Sequence, residues 1–302
     1  MNTADERHLR LAHSPDPDDA FMWWPLVGLE GGGPEVDTGR WSFELVTGDI
    51  ERLNQESERG TWEITAISCA QYPRVSDRYA FTVCGASLGD GYGPKLVTNR
   101  PCDLDTLLSG SPHVLVPGER TSALATLRMM CRGSQLTWEA VDFETIGDRI
   151  AAGEADAGVI IHEGQLTYAE QGLHLVADLG IWWEESTGLP LPLGGNVIRR
   201  DLEDRWGPGT LEEITGILQR SVLWAMDNRE RALTYALEFG RGIDRDCADE
   251  FVEMYVNRWT LDFQDRGRQA VRRFLEDGAS TGCLPVAGSI DFIAAGPAPT
   301  AS

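Results

Sequence analysis

Ala157-Gly158-Val159-Ile160-Ile161-His162-Glu163 is the stretch on which the fold turns. Its apolar run, Ala157–Ile161, has the length of a fully buried strand. The run stops abruptly at an imidazole and a carboxylate. Just upstream, Glu144–Ala152 carries a helical pattern that Gly153 closes. Further back, Trp138–Phe143 and His113–Val116 read as strands on either side of a helix over Thr121–Cys131. The same rhythm runs near the start of the chain. Leu9–His13, Trp41–Val46 and Glu63–Ile67 read as strands. Helices fall between them at Ala20–Val27 and Asp49–Arg59, and Ser68–Arg74 begins another helix or turn. Asp18 or Asp19 suits the N-cap of the first helix. Alternating strands and helices predict an α/β fold with mainly parallel sheets covered by flanking helices.

After about Asp201 the pattern changes. Leu211–Met226, Arg229–Phe239, Arg245–Trp259 and Gly267–Gly278 form a helical C-terminal block. The Ala/Pro/Gly/Thr/Ser tail Ala294–Ser302 is expected to fray. Two Gly/Pro-rich segments lead into strands: 89–94 before Lys95–Thr98, and 190–195 before Asn196–Arg199. Two such crossings predict two lobes, one inserted in the other. Lobe 1 takes residues 1–95 and 200–302, and lobe 2 takes 96–199. Ligands favour clefts between such lobes.

Charge and cysteine usage narrow the partners. The formal net charge is −22, which disfavours nucleic acid and anionic membrane surfaces. Lys95 is the only lysine; every other basic residue is Arg. Many carboxylates with one lysine fit either a salty habitat or a base-composition bias. No apolar run reaches the ~18 residues of a membrane helix. The first residues lack a basic start and an apolar core, so a cytoplasmic location is expected. Six cysteines without C-x-x-C spacing read as reduced thiols and give no zinc pattern. The oligomeric state is not legible.

In open α/β sheets the carboxyl ends of strands face the ligand crevice. His162 would then point into it, where a neutral imidazole can take a proton. A strand-ending histidine that satisfies a backbone carbonyl is the other reading, and the residues alone leave both. Three further strand ends carry hydroxyls: Ser14 before the acids Asp16, Asp18 and Asp19, then Ser68, then Thr121 with Ser122. The acids read as a turn and a helix cap rather than a Mg²⁺ site, so no metal is expected. Hydroxyls and amides at helix starts suit a carboxylate, although each alone also fits plain N-capping. Gly89-x-Gly91-x-Gly93 lacks the following helix of a dinucleotide fingerprint. Trp23-Trp24 and Trp182-Trp183 read as core rather than as an aromatic pocket.

Taken together, these segments resemble a known family. Ser14-Pro15-x-Pro17-x-Asp19-x-Phe21, Gly118-x-x-Thr121, Ala157 through Glu163, Asp178-Leu179-Gly180-x-Trp182-Trp183 and Thr187 through Gly194 are similar to the 1,4-dihydroxy-6-naphthoate synthases of the futalosine route to menaquinone. The resemblance runs from about Leu9 to Phe274. It implies a two-lobed fold of the type 2 periplasmic-binding-protein kind in a cytoplasmic enzyme. It also implies a lyase that turns cyclic dehypoxanthinyl futalosine into 1,4-dihydroxy-6-naphthoate without metal or organic cofactor. His162 takes the position of the family's base. Ser68, Thr121 and Ser122 take the positions that bind the small carboxylate substrate, with Ser14, Asp19 and Pro192 as further lining. One departure is that many members carry Lys where this chain has Ala66, and Cys69 replaces a commoner aromatic residue. Two other functions share this outline. One is the sister enzyme chorismate dehydratase, against which His162 and Trp182-Trp183 argue. The other is a solute-binding or sensor protein that closes on a small acid without turning it over.

Overall fold

A computed structural model describes residues 7–29, 32–237 and 245–296, without the side chain at position 247. β1 (Arg7–His13) leads through α1 (Pro17–Trp23) to β2 (Trp41–Thr47), α2 (Ile50–Ser57) and β3 (Ile64–Ser68). A 3-10 turn, β4 (Tyr79–Thr82) and β5 (Ser87–Gly89) follow. The chain then builds a second sheet. Its elements are β6 (Lys95–Thr98), α3 (Leu104–Ser109), β7 (His113–Val116), α4 (Ser122–Met130), β8 (Thr137–Ala140) and α5 (Phe143–Ala151). β9 (Ala157–Ile160), α6 (Gly164–Thr167), β10 (His174–Asp178) and α7 (Leu179–Thr187) complete it. β11 (Leu191–Arg199) returns to the first sheet. Helices α8 (Leu202–Trp206), α9 (Thr210–Asp227), α10 (Arg229–Ala236), α11 (Arg245–Tyr255), α12 (Arg258–Leu261) and α13 (Gln264–Ser280) precede a short β12 (Phe292–Ile293).

The first sheet has the order β12-β4-β11-β3-β1-β2, with β5 added on β11, and the second has the order β10-β6-β9-β7-β8. Both are mixed. The βαβ units pair parallel, β1 with β2 and β3, and β7 with β8 and β9. The strands at the two crossings, β6 and β11, run antiparallel to their neighbours. This puts the carboxyl ends of β1 and β3 in one sheet, and of β7 and β9 in the other, on the sides that share a cavity.

Several sequence expectations shift here. The second crossing precedes Leu191 rather than following Arg199, because the whole of β11 pairs with β3, β4 and β5 of the first sheet. The stretch 190–195 is mostly strand, and its proline sits at a register irregularity between Pro192 and Gly194. A proline is tolerated there because a bulged position need not donate to the ladder. The N-cap of α1 is Asp16 rather than Asp18 or Asp19, since Pro17 takes the first helical position. The long helix expected over Arg245–Trp259 breaks into α11 and α12 at Asn257, whose side chain and Thr260 form a capping box. Of the expected Arg229–Phe239 helix, and of the fraying tail, the last residues lie outside the described set.

The core explains the layering. One buried cluster joins Tyr72 of the 3-10 turn and Tyr79 and Phe81 of β4 to Leu96 of β6, Val114 of β7 and Leu127 of α4 through Trp183 and Phe274. A second packs Leu9, Leu11, Phe21, Trp23 and Trp24 against Ile214, Ile217 and Leu218 of α9. The C-terminal helices thus return to cover the first sheet, and Trp23, Trp24 and Trp183 serve the core. Lys95, on β6, forms an ion pair with Asp178 of β10. Cys69, Cys84, Cys102, Cys131 and Cys283 are free thiols. No helix among the described residues is long and apolar enough to cross a membrane.

Candidate active site

Residues from both sheets line one cavity, with about 750 Å³ of empty space including the part open to solvent. Ser14, Asp19, Ser68, Thr121, Ser122 and His162 all line it. Pro192 does not; its neighbours Leu193 and Gly194 do. Ala66, where the family resemblance expects a cation, is part of the wall. Among the described residues no Arg or Lys lines the cavity.

His162 lies two residues past the end of β9 and sits in the left-handed region at φ 56°. A non-glycine residue there is strained, and such residues persist where the surroundings hold them. Asp16 and Phe143 contact this ring. Its Nδ1 lies 2.9 Å from Asp16 Oδ2, and the Phe143 ring packs against it edge-on at 4.7 Å. Asp16 comes from the turn after β1, at the N-cap of α1, so the Asp16–His162 contact links the loop after one sheet's strand to the loop after the other's. Glu163 stands at the N-cap of α6 but makes no side-chain cap.

The acids beside Asp16 are buried. Asp19 accepts hydrogen bonds from the Ser14 amide (2.9 Å) and the Ser14 hydroxyl (2.7 Å), which locks the β1–α1 turn. Burial raises the Asp19 pKa, while His13 and the Ser14 hydroxyl pull it back. Asp18 is held well above the ordinary carboxyl range, first by burial, then by the charges of Asp19 and Asp16, against the pull of His162. His13 is pushed down by burial, with Asp19 opposing, and its Nδ1 donates to the Ser14 carbonyl at 2.7 Å. No group of three or more His, Cys, Asp or Glu among the described residues is arranged to hold a metal ion.

The hydroxyl side of the cavity is less uniform than the sequence suggests. The Thr121 hydroxyl accepts from the Leu124 amide and donates to the Gly118 carbonyl, so it is spent on capping α4. The Ser122 hydroxyl accepts from the Ala70 amide and donates to the Leu193 carbonyl at 2.6 Å. It ties the 3-10 turn after β3 to α4 and β11 at the cavity wall. Ser68 differs. Its amide donates to Asn54 Oδ1 (2.8 Å), and its hydroxyl accepts from Asn54 Nδ2 (3.1 Å). Among the described residues the Ser68 hydroxyl proton has no acceptor and is left for a ligand, as are the α4 amides ahead of Leu124, which have no intrahelical acceptor.

Several lining residues escape sequence reading. Asp16 and Asp18 belong to an acidic run that reads as a turn. Gln165 and Tyr255 hydrogen-bond across the wall at 2.9 Å although 90 residues separate them. Asn196 donates to the Gly85 carbonyl, while its buried Oδ1 has no hydrogen-bond partner among the described residues. Gly85 is required beside it: at φ 78°, a Cβ would lie 2.6 Å from Asn196 Nδ2 and 2.8 Å from the Trp23 ring.

Comparison with known proteins adds the family. A family model described as menaquinone biosynthesis matches residues 9–280. The chain belongs to this menaquinone-biosynthesis family. A 1,4-dihydroxy-6-naphthoate synthase of Thermus thermophilus is 36% identical over 274 residues, 91% of this chain and 95% of that protein. The crystal structure of a protein of Archaeoglobus fulgidus, also 36% identical, superposes with a TM-score of 0.82 over 94% of this chain and all of that one. The alkanesulfonate-binding protein of Xanthomonas axonopodis pv. citri, bound to MOPS, is 12% identical. It aligns with a TM-score of 0.65 over 94% of this chain and 96% of that one, a likeness of fold alone. The fold is periplasmic-binding-protein-like, and members of the family act as menaquinone-biosynthesis enzymes.

Proposed function

We propose that this family member is a 1,4-dihydroxy-6-naphthoate synthase, a carbon–carbon lyase acting on cyclic dehypoxanthinyl futalosine with His162 as general base. The observation that carries the reading is the placing of His162. Its backbone is strained just past a buried strand, and its imidazole is held by Asp16 and Phe143 over a cavity shared by both sheets. The relative in Thermus thermophilus carries that activity in its name.

In this reading the substrate carboxylate binds the Ser68 hydroxyl and the first-turn amides of α4. That is where a helix N-terminus favours negative charge. Thr121 and Ser122 act by shaping this end, since their hydroxyls are already committed. His162 removes a proton from the carbon beside the carbonyl. The electron pair moves to break a carbon–carbon bond, the three-carbon fragment leaves with the pair and takes up the proton from His162, and the ring aromatises. Fixed donors near the developing charge stabilise it, and closure of the sheets over the cavity excludes water.

The test is incubation with cyclic dehypoxanthinyl futalosine and mass detection of the naphthoate. Wild type is expected to form it, and His162→Ala to lose about 10²–10⁴ in rate, the usual worth of a positioned base. Near-normal turnover by His162→Ala would remove the histidine from this role. The fold shared with a solute-binding protein supports a second reading, ligand capture without reaction. Thermal stabilisation by the substrate with no product formed would favour it.

A further inference from the structure

Among the described residues, the two sheets hold His162 from opposite sides. Phe143, on α5, packs against the ring from the second sheet's layer. The polar contact comes from the opposite wall, where Asp16 approaches Nδ1 at 2.9 Å with its side chain only 3% exposed. Asp16 is itself placed by its backbone. Its amide donates to the Ser14 hydroxyl, and its carbonyl accepts from the Ala20 amide. As the N-cap residue of α1 it makes no side-chain cap, so its carboxylate is not spent on the helix start. A carboxylate at one imidazole nitrogen fixes the proton there and leaves the other nitrogen as the acceptor.

We propose that Asp16 is the positioning residue of the base: its carboxylate, reaching across the cavity, holds the Nδ1 proton of His162 and makes Nε2 the proton acceptor. This rests on the reading of His162 as the base. It also couples chemistry to closure. The partner that selects the tautomer belongs to the other sheet, so the base is set correctly only when the two walls meet. The remaining charged groups on this side are Asp18, Asp19 and His13. Asp18 feels the charges of Asp16 and His162, and Asp19 feels those of Asp16 and His13. Removing the Asp16 charge therefore makes Asp18 easier to ionise, and a test by charge removal needs Asp18 neutralised as well.

The experiment uses the full chain with ¹⁵N-labelled histidine, the His162 signal being assigned by its loss in His162→Gln. Wild type is expected to show a protonated Nδ1 and a bare Nε2, and Asp16→Ala a mixture of tautomers. Asp16→Asn keeps the shape if the alanine variant folds poorly. In an Asp18→Asn background it should lower the pH at which His162 titrates, because a favourable negative charge is gone. With the cyclic substrate, the Asp16 variants should lose about 10–100-fold in kcat with KM little changed, the usual effect of removing a group that orients another. An unaltered tautomer and titration midpoint in both variants would overturn the proposal, even if wild type makes the naphthoate. A wild type that makes no product, with the tautomer shifted by Asp16→Ala, would overturn the activity while leaving the positioning in place.

Discussion

Asn54→Ala tests how the cavity is held together. Asn54 lies on α2 and is fully buried. Its Oδ1 accepts from the Ser68 amide at 2.8 Å, and its Nδ2 donates to the Ser68 hydroxyl at 3.1 Å. Its carbonyl accepts from Gln71 Nε2, which survives the substitution. Alanine leaves the Ser68 amide without an acceptor at the buried end of β3. An orphaned buried donor costs about 1–3 kcal/mol. The three heavy atoms removed leave a small void that adds about 1 kcal/mol. The sum is about 3 kcal/mol. A chain of this length shifts by about 2 °C for each kcal/mol, so melting should fall by about 6 °C.

The same change should reach the chemistry. Without Asn54 the Ser68 hydroxyl has no fixed orientation, and kcat/KM on the cyclic substrate should fall about 10–100-fold. Ser68→Ala separates the two effects, because it deletes the hydroxyl but keeps the amide bond to Asn54. It should cost turnover with little loss of stability. Denaturant unfolding and steady-state rates on both variants supply the comparison. A stability loss below about 0.5 kcal/mol for Asn54→Ala, the size of an ordinary surface change, would refute this account.

Two further substitutions probe buried charge. The folded-state pKa of Asp18 is raised above its unfolded value, so folding costs nothing at this site below the unfolded pKa and progressively more as pH climbs through the folded one. Asp18→Asn should therefore stabilise the protein at pH 8 but not near about pH 4, where the unfolded carboxyl is half protonated; equal shifts in melting temperature at both would contradict it. Lys95→Met leaves Asp178, whose side chain is 3% exposed, without its cation. Unfolding should show a loss of about 3 kcal/mol that Lys95→Met/Asp178→Asn largely recovers.

The βαβ units are legible in sequence because each rests on local patterns: an apolar run, a turn and an amphipathic helix. The strand ends that carry Ser14, Ser68, Thr121 and His162 follow from them, and the structure brings all four to one cavity. Four strands are not legible. β4, β5, β10 and β12 have two to five residues each, too short to show a period, and they exist because neighbouring strands offer free edges. The stretch 190–195 misleads because Gly and Pro mark loops in general, whereas here they mark an irregular strand. The site splits in the same way. Hydroxyls at helix starts can be listed from sequence, but not which of them keep a free proton. That depends on Leu193 meeting Ser122 and Gly118 meeting Thr121. Tyr255 joins the wall from a helix whose pattern says only that one face is apolar.

The acidic wall decides how a substrate can lie. Asp16, Asp18 and Asp19 crowd one side of a cavity that no described Arg or Lys lines. A carboxylate turned toward them would bring its charge to the place where burial already disfavours charge on Asp18 and Asp19. Turned the other way, it meets the Ser68 hydroxyl and the start of α4, where unpaired amides and the helix dipole favour it. The proposed reacting carbon then lies on the His162 side. Once the imidazole takes a proton, its Nδ1 hydrogen bond to Asp16 becomes one between opposite charges, as with the carboxylate of a catalytic triad. One cluster of acids thus serves two ends in the proposed reaction. It excludes the substrate's anion from the base, and it stabilises the charge that the base acquires.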